Sequence, residues 1–319
     1  MSVRVQRWSA TIALVVGLGV AAAPAAFQMF SRAPLGGTMI DDFAPYMEQQ
    51  KIDDFRGYMT RIDAAQAEST ALRNAMAADG TMSVEDYDAT FSGATALTDQ
   101  WPAINADMTD LLDRMDANMG NYRAVAALPP FPLFPWFFVL PGLMVAGVAA
   151  AILWAQRSAA APTPRRRWQA LGGLGIALIA APFAFQMFTR APQGGEMIDS
   201  FRPMMTRERV QNVQGYFITL GGAEGQLRVG ALPAAEAGGA NAADYSAITA
   251  WSQEWPTIVG DFNPMIATMS DNVDNFQAVD AMPSFGLFPW FFAIPGALVV
   301  GLAVVALRSQ RSHHQPLGG

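Results

Sequence analysis

Leu133-Phe134-Pro135-Trp136-Phe137-Phe138 returns letter for letter as Leu287-Phe288-Pro289-Trp290-Phe291-Phe292. Upstream, Asn121-Tyr122, Ala124-Val125 and Pro129 answer to Asn275-Phe276, Ala278-Val279 and Pro283. Downstream, Pro141-Gly142 answers to Pro295-Gly296, and all of these pairs are displaced by 154 positions. Nearer the start of each copy, Phe27-Gln28-Met29-Phe30 equals Phe185-Gln186-Met187-Phe188. Arg32-Ala33-Pro34, Gly36-Gly37 and Met39-Ile40-Asp41 recur from Arg190 at a displacement of 158. The chain therefore reads as a tandem duplication, its first copy carrying four residues that the second lacks between Tyr245 and Trp255. Each local reading can be checked against its counterpart.

The residues around the repeated block are apolar over long distances. Ser9 to Ser31, Ala124 to Gln156, Trp168 to Thr189 and Ala281 to Ala306 contain no charged residue. About 20 apolar residues at roughly 1.5 Å each cross a hydrocarbon layer of about 30 Å, so each stretch is long enough to span. With 52% hydrophobic and 15% charged residues, the composition agrees. The first stretch also resembles a cleavable leader, with Arg4 and Arg7 ahead of it and Ala21-Ala22-Ala23 within it. Its repeat lies mid-chain, which favours retention as a span.

The expected order is 1–7 cytoplasmic, 8–30 first span, 31–132 first outer domain, 133–155 second span and 156–167 cytoplasmic Arg-rich loop. Then follow 168–188 third span, 189–286 second outer domain, 287–307 fourth span and 308–319 cytoplasmic tail. Orientation follows from charge. Arg4, Arg7, Arg157, Arg165, Arg166, Arg167, Arg308 and Arg311 lie in the short segments, which hold no Asp or Glu, and positive loops stay inside. The outer segments hold 16 acids against 7 bases and 11 against 5. So acidic a face disfavours nucleic acid as a partner. With no cysteine, there is no disulfide, thiolate metal site or thiol nucleophile.

Pro24 and Pro182 predict a kink or early end near the outer side of the first and third spans. Gly36-Gly37 and Gly194-Gly195 then read as helix breakers. In the first outer domain, Ile52, Phe55, Met59, Ile62, Ala65, Ser69, Leu72 and Met76 keep helical spacing. Their partners Val210, Val213, Phe217, Leu220 and Ala223 lead into a Gly, Ala and Pro run from Gly230 to Gly239 that reads as looser. Ser83 with Asp86 three residues on reads as a helix start. Ile104, Met108, Leu111, Met115, Asn118, Tyr122 and Val125 step by four and three, as do Ile258, Phe262, Met265, Met269, Asn272, Phe276 and Val279. A stripe at this spacing needs a facing helix, so both are core seams of helical bundles. Pro264 is expected to bend the second.

Met115, Asn118, Tyr122, Met269, Asn272 and Phe276 are the interface candidates. An amide in an apolar seam costs stability unless paired, and one possibility is that Asn118 and Asn272 bond each other. Trp136, Phe137, Phe138, Trp290, Phe291 and Phe292 read as a membrane-interface belt. Asp107, Asp110 and Asp113 share a face and read as solvated rather than as a calcium site. His313-His314 reads as tail. No catalytic, cofactor or metal residue is predicted, since no nucleophile elbow, phosphate loop, zinc signature or dinucleotide fingerprint occurs. No span carries an ionisable residue, which removes the groups that proton relays and charge-coupled transport use. Gly17/Ala21, Gly142/Ala146 and Gly173/Ala177 are small-residue pairs that permit close helix packing.

FQMFxRAPxGGxMID, Trp101-Pro102 with Trp255-Pro256, and LFPWFF before a returning span together resemble duplicated four-span membrane proteins of high-GC Gram-positive, actinobacterial type. That resemblance implies a multi-pass plasma-membrane location and brings no activity or catalytic residue with it. The expectation is an all-α protein with four transmembrane helices, two outer helical bundles and like-oriented repeats. Its expected role is a non-enzymatic envelope scaffold whose partners are the lipid bilayer and either further copies of itself or other membrane proteins. The alternatives are a transport or channel component for an apolar substrate, favoured by a cavity between the halves, and an outer ligand sensor acting through a partner.

Overall fold

The computed structural model describes residues 2–158 and 164–311; His313, His314 and the middle of the Arg-rich link lie outside this range. Its regular structure is helical throughout, with no strand among the described residues. In chain order the helices are α1 (Ser2–Ala26), α2 (Met29–Phe43), α3 (Gln49–Ala78), α4 (Val84–Thr90), α5 (Ser92–Ala117), α6 (Met119–Ala126) and α7 (Phe134–Ser158). The second half holds α8 (Arg165–Ala184), α9 (Met187–Phe201), α10 (Arg207–Gln226), α11 (Leu232–Ala237), α12 (Ser246–Asp280) and α13 (Phe288–Arg311).

Three stretches are long and apolar enough to cross a membrane: Val3–Ala26, Phe131–Arg157 and Phe285–Gln310, of 24, 27 and 26 residues. The pair α8 and α9 meets the same test together but bends by 54° at its break, so the number is four if that pair is one passage.

The breaks do not fall where the glycines suggested. α1 and α8 end at Ala26 and Ala184, two residues beyond Pro24 and Pro182. Each proline removes the N–H that would bond the carbonyl four residues earlier, which weakens the last turn. Gln28 and Gln186 then take left-handed φ values of 54° and 53° and redirect the chain. A non-glycine residue in this region is disfavoured by about 1 to 3 kcal/mol, so the surrounding packing must hold both positions. α2 and α9 run straight through Gly36-Gly37 and Gly194-Gly195.

The chain forms two compact units. The first comprises Met1–Ile40, Asn121–Asp199 and Asn275–Gly319, the second Asp41–Gly120 and Ser200–Asp274. In the first unit α1 packs on α7 and α8 on α13, with lighter contacts of α1 on α13 and α7 on α8. A Cβ on Gly142 would sit 2.5 Å from the Ala21 nitrogen and 2.7 Å from the Gly17 oxygen, so the backbones touch there. Gly175 and Gly296 make the matching contact between α8 and α13, where a Cβ on Gly296 would lie 2.8 Å from the Gly175 oxygen. Gly173, expected to pack closely, has nothing near its Cβ position; Gly175, the counterpart of Gly17, takes that role.

The two segments expected to fold as separate outer bundles fold together as the second unit. Its core includes the full α3 stripe from Ile52 to Met76. Its joints come in pairs whose members are displaced by 158 and 154 positions, like the sequence. Glu68 Oε2 accepts from the Ala247 and Ile248 backbone N–H groups at 2.7 and 3.0 Å and so caps the start of α12. Gln226 Oε1 does the same for Gly93 and Ala94 near the start of α5, at 2.6 and 3.4 Å. Tyr58 donates to Asp261 at 2.8 Å and Lys51 pairs with the same carboxylate at 2.7 Å. Tyr216 and Arg209 converge likewise on Asp107. Phe55 stacks on Phe262 with ring centres 4.3 Å apart, filling the space between α3 and α12.

Three expectations change here. The Gly230 to Gly239 run is mostly helical, a π segment over Leu227–Ala231 leading into α11. α12 is continuous through Pro264, and the interruption comes in the first copy, at Asn118. Asp107, Asp110 and Asp113 are ion-paired, to Arg209, Arg114 and Arg56 respectively, rather than simply solvated. The expected start at Ser83 is present, its Oγ accepting from the Asp86 N–H at 3.1 Å. The four extra residues have a place too. α4 is a full helix before α5, whereas its counterpart is a short 3-10 turn at Ala242–Tyr245 running directly into α12.

Candidate functional site

The first unit contains a cavity of about 350 Å³. α2 supplies Met29, Gly36 and Met39 to its wall, and the α6–α7 connection supplies Pro129 and Phe131. α8 contributes Ala177 and Ala181, and α13 contributes Phe288 and Phe292. The lining side chains are apolar with one exception, Arg190 from the first turn of α9.

Glycine makes the room. A Cβ on Gly36 would meet the Phe131 ring at 3.1 Å and Val279 at 3.5 Å, so a larger side chain would crowd the wall. Gly194 occupies the matching place, with Val125 at 3.3 Å and Phe285 at 3.8 Å. Of the glycines that read as helix breakers, Gly36 and Gly194 thus serve as points of close approach inside continuous helices.

The aromatic residues form a frame. Phe138 and Phe292, the last letters of the repeated block, pack against each other at a tilt of 38° with ring centres 4.4 Å apart. Phe137 contacts Phe185 at 5.5 Å and Phe291 contacts Phe27 at 5.8 Å, so each copy reaches the helix break of the other. Phe30 meets Trp136 edge-on at 5.6 Å, and Phe188 meets Trp290 at 5.4 Å in the same manner. The expected belt therefore divides. Trp136 and Trp290 are 48% and 51% exposed, whereas Phe138 and Phe292 are buried and line the cavity.

Arg190 donates from Nη1 to the Ala127 carbonyl at 2.9 Å, and Arg32 donates to Ala281 at the same distance. Each bond ties the start of the helix after the break to the end of the opposite copy's seam. Arg190 is part of the cavity wall; Arg32 is not among the lining residues.

All six interface candidates are buried, though in different places. Met115, Asn118, Met269 and Asn272 belong to the second unit, while Tyr122 and Phe276 belong to the first, where Tyr122 donates to the Ile40 carbonyl at 2.6 Å. Asn118 Nδ2 donates to the Arg114 carbonyl at 2.8 Å and to Ser200 Oγ at 2.9 Å, and Asn272 Nδ2 to Thr268 and to Asp42 Oδ2, both at 3.0 Å. In both seams the amide thus reaches a side chain on the opposite copy, Ser200 in one and Asp42 in the other.

Outside the cavity, the Tyr58 hydroxyl is pushed up to about 12, first by burial and then by its bond to Asp261. Burial raises the Asp261 carboxyl, but the hydrogen bonds from Lys51 and Tyr58 outweigh it and hold the group below the usual range. Among the described residues no three His, Asp or Glu side chains are grouped to hold a metal ion. No family model and no curated protein matches the chain.

The cavity was not anticipated residue by residue. A signal was available, since Gly36 and Gly194 stand in both copies at places where a helix continues, beside aromatic residues retained in both.

Proposed function

We propose that this is an integral plasma-membrane protein that holds a single apolar chain in the cavity of its first unit, as a binding or transfer component rather than an enzyme. α1, α7 and α13 cross the bilayer, and the bent pair α8–α9 serves as the fourth passage. The chain is then two like-oriented hairpins produced by duplication, with termini and Arg-rich link in the cytoplasm and the second unit outside. The paired joints at displacements of 154 and 158 support this, because repeats of one orientation pack about an axis along the membrane normal.

The observation that carries the reading is the cavity. A volume of about 350 Å³ with apolar walls lies within the range of small-molecule sites. An envelope scaffold is the weaker reading, because docking needs an apolar outer face. Among the described residues, Ile218 and Val229 are the large apolar side chains that the second unit exposes.

Mass spectrometry of lipid extracts from the detergent-purified protein tests the proposal. A stoichiometric apolar ligand is expected, with its loss in an Ala181→Trp variant that fills the cavity and still elutes as a folded species. A wild type without bound ligand, or an A181W protein that keeps it in full, would overturn the proposal.

A further inference from the structure

Three of the residues that line the cavity are exposed, and all three flank one seam. Met144 of α7 is 56% exposed, Phe185 at the end of α8 is 38% exposed, and Ala177 of α8 is exposed as well. The α2 residues Met29, Gly36 and Met39 are buried. The cavity therefore closes towards α2 and opens between α7 and α8. α7 meets α8 more lightly than either meets its main partner, α1 or α13, and more lightly than α1 meets α13, the equivalent pair in the duplication. The counterparts of the three exposed residues, Leu298, Phe27 and Gly19, do not line this cavity. The mouth is thus a property of one seam.

Its depth is set by Met144, the midpoint of the apolar stretch Phe131–Arg157. About 20 apolar residues cross the hydrocarbon layer, so a mouth that begins at the midpoint faces lipid tails rather than water. The surface inside is almost wholly apolar atoms, and Arg190 turns Nη1 to the Ala127 carbonyl. A polar head drawn in would find no partner, at a cost of about 1 to 3 kcal/mol. A tail, in contrast, restores the dispersion contacts that an empty apolar space forfeits.

Resting on the reading above, we propose that the cavity is filled sideways from the outer leaflet, through the mouth between α7 and α8, by one tail of a membrane lipid whose head group stays outside. The volume of about 350 Å³ takes one tail, on the order of a dozen methylene groups at about 30 Å³ each. Selection then acts on the tail and is blind to the head.

The test uses the full-length protein in phosphatidylcholine vesicles with a tracer lipid carrying a diazirine in mid-tail, either a phosphatidylcholine or a phosphatidylglycerol. After irradiation, adducts are mapped by mass spectrometry. Exposed Leu298 reports bulk lipid, and buried Met29 and Met39 report a tail inside the cavity. Both tracers are expected to label Met29 and Met39 equally in wild type. Ala177→Trp, which fills the mouth, is expected to lower that labelling about tenfold, within the cost of overpacking. Met144→Trp should act in the same direction. Gly19→Trp, at the equivalent place on α1 with open space around it, should leave the labelling unchanged. Unchanged Leu298 labelling and elution position show that each variant is folded. Undiminished Met29 and Met39 labelling in both mouth variants, an equal loss in G19W, or a tenfold difference between the two heads overturns this inference and leaves the apolar-cavity reading standing. Unlabelled Met29 and Met39 in a wild type whose lipid extract still yields an apolar ligand overturns the bilayer source alone. Absence of both adducts and ligand overturns both readings.

Discussion

Gly142→Ala adds one methyl group where α1 and α7 touch, and the structure sets its cost. The new Cβ would lie 2.5 Å from the Ala21 nitrogen, 2.7 Å from the Gly17 oxygen and 3.0 Å from the Ala21 Cα. Ordinary contact begins at 3.4 Å, so the shortfall is about 0.9 Å. All three obstructing atoms are backbone and cannot rotate away, so the helices must part by about 1 Å. Such a gap forfeits a quarter to a half of each dispersion contact along the seam. Overpacking of this kind costs about 1 to 3 kcal/mol. For a chain of 319 residues, that corresponds to a fall of roughly 2 to 5 °C in the melting midpoint. Fluorescence-detected size-exclusion melting in detergent measures it. Gly147→Ala and Gly301→Ala are matched controls, because nothing lies within 4 Å of either Cβ position. Each should be neutral, or stabilising by up to about 1 kcal/mol through helix propensity. The reasoning fails if G142A melts with the wild type, or if G147A falls as far.

The caps supply a second expectation. Glu68→Ala leaves the first N–H groups of α12 without their acceptor and should destabilise by about 1 kcal/mol, as should Gln226→Ala at α5, both read by thermal melting. Alkaline stability follows from Tyr58, whose folded pKa of about 12 lies above its ordinary value of 10.0. The folded state then holds more protons between those values, so Tyr58 stabilises fully below pH 10 and loses that contribution as pH rises towards 12. A Tyr58→Phe, Tyr216→Phe double variant should show a flatter decline across this window in pH-dependent melting. Because the paired contacts close each copy with groups from the other, residues 1–160 and 161–319 expressed as separate chains should co-purify. Recovery of each piece alone would count against the duplication reading.

Helix type and rough extent were legible in the sequence because spacing and apolar length are local properties. The α3 stripe and both seams are buried as their periods required. What the spacing could not give was the partner. Asn118 and Asn272 sit in equivalent slots, and symmetry alone offered them to each other. The bonds to Ser200 and Asp42 depend on how the α2 and α9 ends are carried past the opposite seam. Gly36-Gly37 and Gly194-Gly195 misled for a related reason. Glycine lowers helix propensity, but packing overrides so weak a preference; proline costs more, and the chain breaks just after Pro24 and Pro182 but continues through Pro264. The repeated block was read as one belt because tryptophan and phenylalanine were grouped by type. On a helix, successive residues point about 100° apart, so Trp136 faces outward while Phe138 turns in.

The claim on which the rest depends is that the two halves enter the membrane in the same orientation. The natural chain has no cysteine, so single cysteines report position without background. Glu85→Cys and Asp244→Cys, both at exposed sites, should react with a membrane-impermeant maleimide in intact cells. Arg166→Cys should react only after the membrane is opened. Labelling of Glu85→Cys and Asp244→Cys from opposite sides would contradict the account.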